Sequence, residues 1–334
     1  MATYKDSGVD FDARGAFRDS IVRNLKYAGE KYRRAIKIGH YSGLVSFGDG
    51  YIALHTDNVG TKTILALKYN YFEDIGYDLI GMNVNDLVCI GAEPIAMVDY
   101  IAGSITDSKI GSRIGKSIDR ASREAAVAVI GGETASVPDL IKGIDLSGTV
   151  VGFVKKGKIL NGTKIKPGDK IIGVPSSGFH SNGFSLLRKV YEGKDDILNS
   201  TVDGLPFWKR LLAGTKIYSR QVLPLLDDLE IHGISHVTGG GVRNLSRLKR
   251  MRYRLDFPVI PYIFKKVIED GNITIGEAFQ TFNMGIGMFI ILPKEAERDA
   301  LDRLQELNPE VVGEVSDGDG VEISNFNLVY KGYY

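Results

Sequence analysis

The sequence predicts an α/β fold divided into two domains. Short apolar runs typical of strands alternate along the chain with segments of helical periodicity. The 334 residues exceed what one ordinary hydrophobic core requires and suit two domains of common size. Residues 155–170, KKGKILNGTKIKPGDK, are rich in Lys, Gly and Pro, which is typical of a domain boundary. We therefore predict one domain at residues 1–160 and a second at residues 161–334.

The elements of the first half follow in order. Residues 18–34, RDSIVRNLKYAGEKYRR, predict a helix with several basic side chains. The apolar run Tyr51–Leu54 predicts a strand that ends at Leu54 or His55. Residues 105–126 predict a later helix, and Val127–Ile130 predict the strand behind it. Between them, a helix is predicted by apolar residues that recur on one face: Ile75, Leu79, Ile80, Val84, Leu87 and Val88.

The second half restarts with a strand, IIGVP at residues 171–175. Its apolar periodicity then predicts helices near residues 182–192, 217–228, 259–270 and 294–307. The alternation of strands and helices thus continues beyond the predicted boundary, which favours a second α/β unit.

Composition and charge exclude several classes of protein. Apolar residues make up 43% of the chain and charged residues 25%, as in soluble globular proteins. The formal net charge of +1 creates no global field for nucleic acid or an anionic membrane. The single cysteine, Cys89, cannot form an internal disulfide, and MATYKDSGVDFDARG lacks the apolar core of a signal peptide. We therefore predict a cytoplasmic protein that recognises its partners locally.

Acidic side chains recur near the predicted strand ends. Asp57 lies in the polar stretch HTDNVGTKT at residues 55–63, Asp86 on the helix that follows, and Glu133 just after Val127–Ile130. Mg²⁺ on a nucleoside triphosphate prefers one or two carboxylates plus phosphate oxygens and water, which Asp57 and Asp86 would supply. The alternative is structural: Asp57 caps a turn, Asp86 faces solvent and Glu133 caps a helix.

Glycine-rich stretches suggest where phosphates would bind. Gly131 and Gly132 of GGET let backbone approach a ligand and adopt positive φ. The three glycines of HVTGGG, residues 236–241, repeat this pattern after a short strand, with a helix expected to follow. A flexible turn before a helix would look the same. No GxxxxGK[ST] motif occurs in the chain, which excludes a P-loop.

The stretch SSGFHSNGFSLLRKV, residues 176–190, is the most informative of these junctions. Hydroxyls, glycines, a histidine and an asparagine lead from a strand into an amphipathic helix, which predicts a phosphate cradle centred on His180. A histidine there could donate a hydrogen bond to a phosphate or move a proton near neutral pH. A surface or capping role is the alternative for His180. His232 and His236 are interpreted as ordinary polar residues, and the scattered histidines predict no zinc site.

Motifs in a fixed order along the chain closely resemble the phosphoribosylformylglycinamidine cyclo-ligase family, also called aminoimidazole ribonucleotide synthetases. They are YKDSGVD (4–10), HTDNVGTK (55–62), MNVNDLVCIGAEP (82–94), GGETA (131–135), SSGFHSNGFSLLR (176–188), HVTGGG (236–241) and FNMGIGM (282–288). The resemblance implies ATP-dependent closure of formylglycinamidine ribonucleotide to aminoimidazole ribonucleotide, with release of ADP and phosphate. It also implies two α/β halves with mixed sheets, with the N-terminal sheets of two subunits joined into a barrel across a homodimer.

The resemblance also implies the site residues. Asp57 and Asp86 become Mg²⁺ ligands, with Glu133 as a third. Asp57, Lys62 and His180 form the catalytic set, in which Lys62 contacts phosphate. Lys5 and Asp6 would belong to an N-terminal segment that covers the site. The residues implied to contact nucleotide or phosphate are Lys5, Asp6, Thr61, Asn85, Gly131, Gly132, Glu133, Thr134, Ser176, Ser177, Gly178, Ser181, Asn182, Thr238, Gly239 and Gly240.

Two departures from the family pattern bear on function. Asn58 stands where the family commonly has glycine, and His40 and Tyr41 interrupt a stretch that is otherwise richer in glycine, here IGHYSGLVSFGDG. The superfamily also includes selenophosphate synthetase, hydrogenase maturation factors and thiamine phosphate kinase. A chain without an N-terminal cysteine and with YKGYY at its end does not fit the selenium enzyme or a cysteine-tailed factor. A catalytically silent dimeric nucleotide-binding regulator stays the alternative of another class.

Overall fold

A computed structural model describes residues 3, 7–8, 10–36 and 38–332. Within them the helices are α1 (Phe11–Asn24), α2 (Lys62–Lys68), α3 (Ile75–Val88), α4 (Ser108–Ala125), α5 (Phe184–Val190), α6 (Asp195–Asn199), α7 (Phe207–Leu211), α8 (Ser219–Val222), α9 (Leu225–Asp228), α10 (Tyr262–Asp270), α11 (Ile275–Thr281) and α12 (Glu297–Arg303). The strands are β1 (Gly43–Phe47), β2 (Gly50–Asn58), β3 (Glu93–Gly103), β4 (Ala128–Ser136), β5 (Ile144–Lys155), β6 (Lys170–Pro175), β7 (Thr201–Val202), β8 (Leu205–Pro206), β9 (Gly233–His236), β10 (Arg252–Leu255), β11 (Ile286–Leu292), β12 (Glu310–Ser316), β13 (Gly320–Ile323) and β14 (Leu328–Tyr330).

Two mixed sheets organise the chain, which confirms the predicted fold class. The first has the order β1-β2-β5-β3-β4, and only its β3–β4 pair is parallel. The second has the order β14-β13-β10-β12-β6-β11-β9, with β10 and β13 parallel. Every residue of β11, IGMFIIL, is buried, as expected for a strand covered on both faces.

Helix α3 occupies the boundary between the two halves. All of its residues except Tyr77 are buried, because one side packs on the first sheet and the other side meets the second half. The polar side chains Asp78, Asn83, Asn85 and Asp86 lie within this buried helix. A buried polar group is tolerated only when it is hydrogen-bonded, so these positions demand partners from other elements.

Several helix and strand boundaries predicted from the sequence were wrong. Strand β2 continues to Asn58, so Asp57 lies within the strand and not after it. Helix α1 ends at Asn24, ten residues before the predicted end at 34, and Arg34 instead forms an isolated antiparallel bridge with Val45 of β1. Pro224 divides the helix predicted at 217–228 into α8 and α9, since proline lacks the N–H that a continuous helix requires.

The glycine-rich stretches also differ from the prediction. GGET lies inside β4, and neither Gly131 nor Gly132 is among the residues with positive φ, so the expected turn is absent there. Gly240 and Gly241 do have positive φ, at 119° and 55°, and they lead into a 3₁₀ helix at Gly241–Arg247 and not an α-helix. In the described ranges, no helix combines the length and apolar character that crossing a membrane requires.

Candidate active site

Asp57 and Asp86 are brought together by hydrogen bonds between β2 and α3. The Asp57 N–H donates to Asn83 Oδ1 at 2.9 Å, and Asn83 Nδ2 donates to the Asp57 carbonyl at 3.2 Å. These bonds hold the end of the strand against the helix that carries Asp86. Burial raises the pKa of Asp57, and the nearby charge of Asp86 raises it further, as expected for two carboxylates that share a site.

Two histidines that the sequence reasoning missed hold Asp86. His236 Nδ1 donates to Asp86 Oδ1 at 2.8 Å, and His55 Nε2 lies 3.5 Å from Asp86 Oδ2. Burial acts to raise the pKa of Asp86, but His55 and His236 outweigh it and lower that pKa. Both histidines lie in motifs that the sequence analysis singled out. Their proximity to Asp86 was the missing information, because His236 is 150 residues away in the chain.

The departure from the family pattern at His40 and Tyr41 contributes to packing between the two halves. Tyr41 is buried, and its hydroxyl lies 2.5 Å from Ser235 Oγ and donates to the Asn244 carbonyl at 2.9 Å. The Tyr41 carbonyl lies 2.6 Å from His55 Nδ1, which orients the ring toward Asp86. Burial and the charge of Arg247 lower the pKa of His40 to about 4, so His40 is neutral near pH 7.

The carboxylate pair fits a divalent cation that is also bound to phosphate. Within residues 3, 7–8, 10–36 and 38–332, no three His, Cys, Asp or Glu side chains form a group that could hold a metal ion. Mg²⁺ commonly takes only one or two protein carboxylates and completes its shell with phosphate oxygens and water. Burial and the charge of Asp86 both raise the pKa of Asp57, and a bound cation would favour the charged form of that carboxyl.

Lys62 is placed differently from a phosphate contact. Its ammonium is fully buried and donates to Asp78 Oδ1 at 2.9 Å, the His180 carbonyl at 2.8 Å and the Ala213 carbonyl at 2.7 Å. An ammonium has three hydrogens, and these acceptors use all of them. Burial lowers the pKa of Lys62 and raises that of Asp78 to about 6. The contacts favour a structural connection between the two halves.

His180 is buried at the centre of its loop, in a left-handed conformation with φ of 56°. Its Nε2 accepts from the backbone N–H groups of Ser177 and Lys216, at 3.4 and 3.5 Å. The proton of the neutral ring therefore lies on Nδ1, which is buried and has no partner within the described residues. Burial holds the pKa of His180 well below its usual value, so the ring is a neutral donor and not an acid with a proton to lose at pH 7.

Other predicted residues line the contact between the halves. Ser181 Oγ donates to the Val59 carbonyl at 2.6 Å, and the Thr61 and Ser185 hydroxyls lie 3.1 Å apart. Asn85 Nδ2 donates to the Lys216 carbonyl at 2.9 Å. These bonds join α3 and the turn before α2, at residues 59–61, to segments of the second half.

The remaining loop residues are held mainly within the second half. Ser176 Oγ donates to Asn283 Oδ1, and Ser177 Oγ donates to the Gly214 carbonyl. The Gly178 carbonyl accepts from Asn283 Nδ2. Asn182 Nδ2 contacts Met82 Sδ of α3 at 3.8 Å, a Cβ added at Gly239 would lie 3.2 Å from Asn182 Oδ1, and Thr238 Oγ1 accepts from Asn244. Gly240 supplies the turn with positive φ.

The structure does not bring Glu133 to Asp57 and Asp86 within one chain. Glu133 pairs with Tyr100, Tyr100 with Ser147, and Ser147 with Asn58 across successive strands. Since neighbouring residues in a strand point to opposite faces, Glu133 shares a face with Asn58 and not with Asp57. Gly131, Gly132, Glu133 and Thr134 are all exposed on the edge strand β4.

Two further sequence-based points concern the margins of the site. Lys5 and Asp6 lie outside the described residues. Asn58 is not among the residues with positive φ, whereas Gly60 has φ of 70°. The backbone at position 58 therefore has no requirement for glycine, and its exposed side chain lies 3.4 Å from Asp145 Oδ1.

Family models match both halves of the chain. The AIR synthase related protein N-terminal domain matches residues 39–154, and the corresponding C-terminal domain matches residues 166–324. The chain is 44% identical to a phosphoribosylformylglycinamidine cyclo-ligase of Pyrococcus horikoshii over 92% of each chain. It is 42% identical to a protein of that name from Methanocaldococcus jannaschii, over 99% of this chain and 96% of the other.

Solved structures share the fold at low sequence identity. One is the hydrogenase maturation protein HypE in complex with ATP, with a TM-score of 0.63 and 20% identity over 97% of this chain and 95% of the other. Another, AaThiL complexed with AMPPCP and TMP, has a TM-score of 0.67 and 18% identity over 97% and 98% of the two chains. These likenesses support the architecture alone.

Proposed function

The chain belongs to the AIR synthase related family and, within it, to the phosphoribosylformylglycinamidine cyclo-ligases, and from this premise we propose how its residues perform the reaction. The activity is the ATP-dependent cyclisation of formylglycinamidine ribonucleotide to aminoimidazole ribonucleotide in purine synthesis. We divide the chain into domains at residues 1–160 and 161–334. The observation that carries the assignment of the site is the Asp57–Asp86 pair, held at the contact between these halves.

The reaction needs activation of an amide oxygen and then ring closure. ATP phosphorylates the formyl amide oxygen, which converts a poor leaving group into phosphate. The amidine nitrogen of the same molecule attacks the activated carbon, and phosphate leaves. Because both reacting groups belong to one molecule, holding it in a folded conformation supplies much of the rate. The protein must therefore position the triphosphate, neutralise its charge and limit access of water.

The described residues divide this work. Asp57 and Asp86 would hold Mg²⁺, with Asn83, His55 and His236 orienting the two carboxylates. When bound, the metal neutralises phosphate charge and orients the γ-phosphoryl group. Asn182 contacts α3 from the second half, and Gly239 lies beside Asn182. Both residues would contact the nucleotide. Lys62 and Asp78 keep the halves in register, which supports the geometry without contact to phosphate.

ATP hydrolysis should require the cyclisation substrate. We expect purified protein to release ADP and phosphate together with aminoimidazole ribonucleotide, in equal amounts, only when formylglycinamidine ribonucleotide is present. The measurement is coupled ADP release compared with colorimetric detection of the product. ATP binding without turnover under any substrate condition would favour the silent nucleotide-binding regulator instead.

His180→Ala should lower turnover more than it weakens ATP binding. The neutral Nδ1–H has no partner within the described residues, so it is available to donate to a reacting oxygen. Because burial holds the pKa of His180 well below its usual value, the ring stays neutral between pH 7 and 8. The variant should therefore lower kcat by a similar factor across that range, measured with ATP affinity by calorimetry. An unchanged kcat with a raised Kd for ATP would assign His180 to binding.

A homodimer is expected through the outer face of the first sheet. Leu54, Val98 and Tyr100 alternate outward from their strands, and each is more than 40% exposed. Ile130 on the edge strand β4 is 70% exposed. Such an apolar sheet face with an unpaired edge usually indicates an interface, and pairing with a second copy would form the barrel implied by the family resemblance.

Light scattering at micromolar concentration tests this assembly. The wild-type protein should have twice the mass of one chain, and Val98→Lys should shift it to the monomer because the substitution buries an unpaired charge. Thr149→Lys on the same face, at a directly paired position, provides a second probe. A monomeric wild-type protein at all concentrations tested would contradict the proposal.

A further inference from the structure

A cavity of about 510 Å³ is lined by residues of α2 and α5, and neither Asp57 nor Asp86 is among its lining residues. Three segments from distant parts of the chain contribute to it: Ser7 of the N-terminal segment, Ile64 and Lys68 of α2, and Ser185 and Arg188 of α5. Its volume falls within the roughly 300–1,000 Å³ of small-molecule sites. The cavity therefore has the size of a small-molecule site.

The geometry of the helices explains how this wall forms. Ile64 and Lys68 are four residues apart on α2, and Ser185 and Arg188 are three apart on α5, so each pair lies on one helical face. The hydroxyls of Thr61 and Ser185 lie 3.1 Å apart and hold these two helices together. Thr61 is the residue directly before α2, so this contact places Ser185 of α5 beside the turn that follows β2.

The charges of the cavity are opposite to those of the carboxylate pair. Lys68, Arg188 and Lys189 line it, and Glu192 is the acidic residue among the lining side chains. Lys68 is paired with Asp195. Arg188, in contrast, makes no hydrogen bond or ion pair within the described part of the chain. A guanidinium presents a planar fork of N–H donors that matches two oxygens of a phosphate.

We propose that this cavity binds the ribose 5′-phosphate of the substrate, with Arg188 as the principal contact. Two acidic residues require a bridging metal to hold a polyphosphate, whereas a cavity with an excess of cations holds a phosphate monoester directly. Ser185 offers a hydroxyl to the same anion, and Ile64 and Leu187 offer apolar surface to the ribose. This inference rests on the proposed cyclisation, because that reaction supplies a substrate with such a phosphate.

Arg188→Gln tests the assignment, with Arg298→Gln as the matched control. Arg298 lies on α12 with its side chain 91% exposed, so its substitution removes the same charge far from the cavity. A lost charged hydrogen-bond pair should raise KM for the ribonucleotide about 10- to 100-fold, while KM for ATP stays unchanged. The corresponding nucleoside, which lacks the phosphate, should react at equal kcat/KM with wild type and Arg188→Gln.

Binding of ribose 5-phosphate, measured by calorimetry without turnover, tests the proposed phosphate site independently of the cyclisation reaction. Wild type and Arg298→Gln should bind it and Arg188→Gln should bind it about 10- to 100-fold more weakly. A wild type that binds the sugar phosphate in this Arg188-dependent way but does not catalyse the cyclisation would refute the proposed function and leave the phosphate site supported.

Equal KM values for the ribonucleotide in wild type and Arg188→Gln would overturn the phosphate site, as would an increase in the KM for ATP alone. A third outcome would assign the cavity to the phosphate that leaves in the reaction, and would also overturn the proposal. In that case Arg188→Gln alters inhibition by inorganic phosphate but leaves the discrimination between ribonucleotide and nucleoside unchanged.

Discussion

Replacing Asp57 or Asp86 by asparagine is expected to abolish most of the cyclisation while the fold survives. Each substitution keeps the shape of the side chain and an acceptor oxygen, so Asn58 N–H and His236 Nδ1 retain their partners. What is removed is one negative charge at the proposed metal site. Since disturbing even the outer support of a metal site reduces activity about 10–100-fold, we expect direct loss of a ligand to lower kcat by at least about 100-fold.

Steady-state product formation at increasing Mg²⁺ concentration is the measurement, together with thermal unfolding. Raising Mg²⁺ should restore part of the activity, because weakened metal binding responds to mass action. Asp119→Asn, on the exposed surface of α4, is the matched control and should leave kcat unchanged. Near-normal turnover in Asp57→Asn and Asp86→Asn would return Asp57 to a structural role, since a capping Asp→Asn change has a small effect on stability.

Lys62→Met is expected to destabilise the protein by about 3–5 kcal/mol, as is typical when one partner of a buried ion pair is removed. The substitution fills a similar volume but leaves the Asp78 carboxylate and the carbonyls of His180 and Ala213 without their donor. These acceptors belong to both halves of the chain, so the loss should affect their docking. Denaturant unfolding, followed by tryptophan fluorescence and circular dichroism, measures the change in the free energy of unfolding.

A second substitution separates structure from phosphate binding. Lys62→Met combined with Asp78→Asn removes the orphaned charge, and it should recover part of the lost stability because an uncharged amide is less costly to bury. Lys116→Met, at an exposed position of α4, should have little effect on unfolding. Unchanged stability of Lys62→Met together with a large rise in the Kd for ATP would show that Lys62 contacts phosphate after all.

Local patterns in the sequence were sufficient for the class of fold and for the main helices of the first half. The apolar residues from Ile75 to Val88 identified helix α3, because they recur at helical spacing. Boundaries without such a signal were less predictable. The end of β2 is one example, since its last residues are polar and are included in the strand only because β5 pairs with them.

The polar site shows the same limit more sharply. Asp57 and Asp86 were recognisable because their residue types suit a metal and because the motifs around them resemble those of the family. Their partners His55 and His236 were not, although both lie in the same motifs. A hydrogen bond between residues 150 positions apart depends on how the two halves dock, and nothing in the local sequence encodes that distance.

The sequence by itself determined the α/β class, the family resemblance and the residue types available for phosphate and metal chemistry. Tertiary structure decided which of these residues meet. It placed Lys62 in a buried ion pair, put Glu133 on the opposite sheet face from Asp57, and gathered Ser7, Lys68 and Arg188 around one cavity. The physical reason is that secondary structure follows short-range periodicity, whereas burial, charge pairing and hydrogen-bond partners are settled by long-range packing.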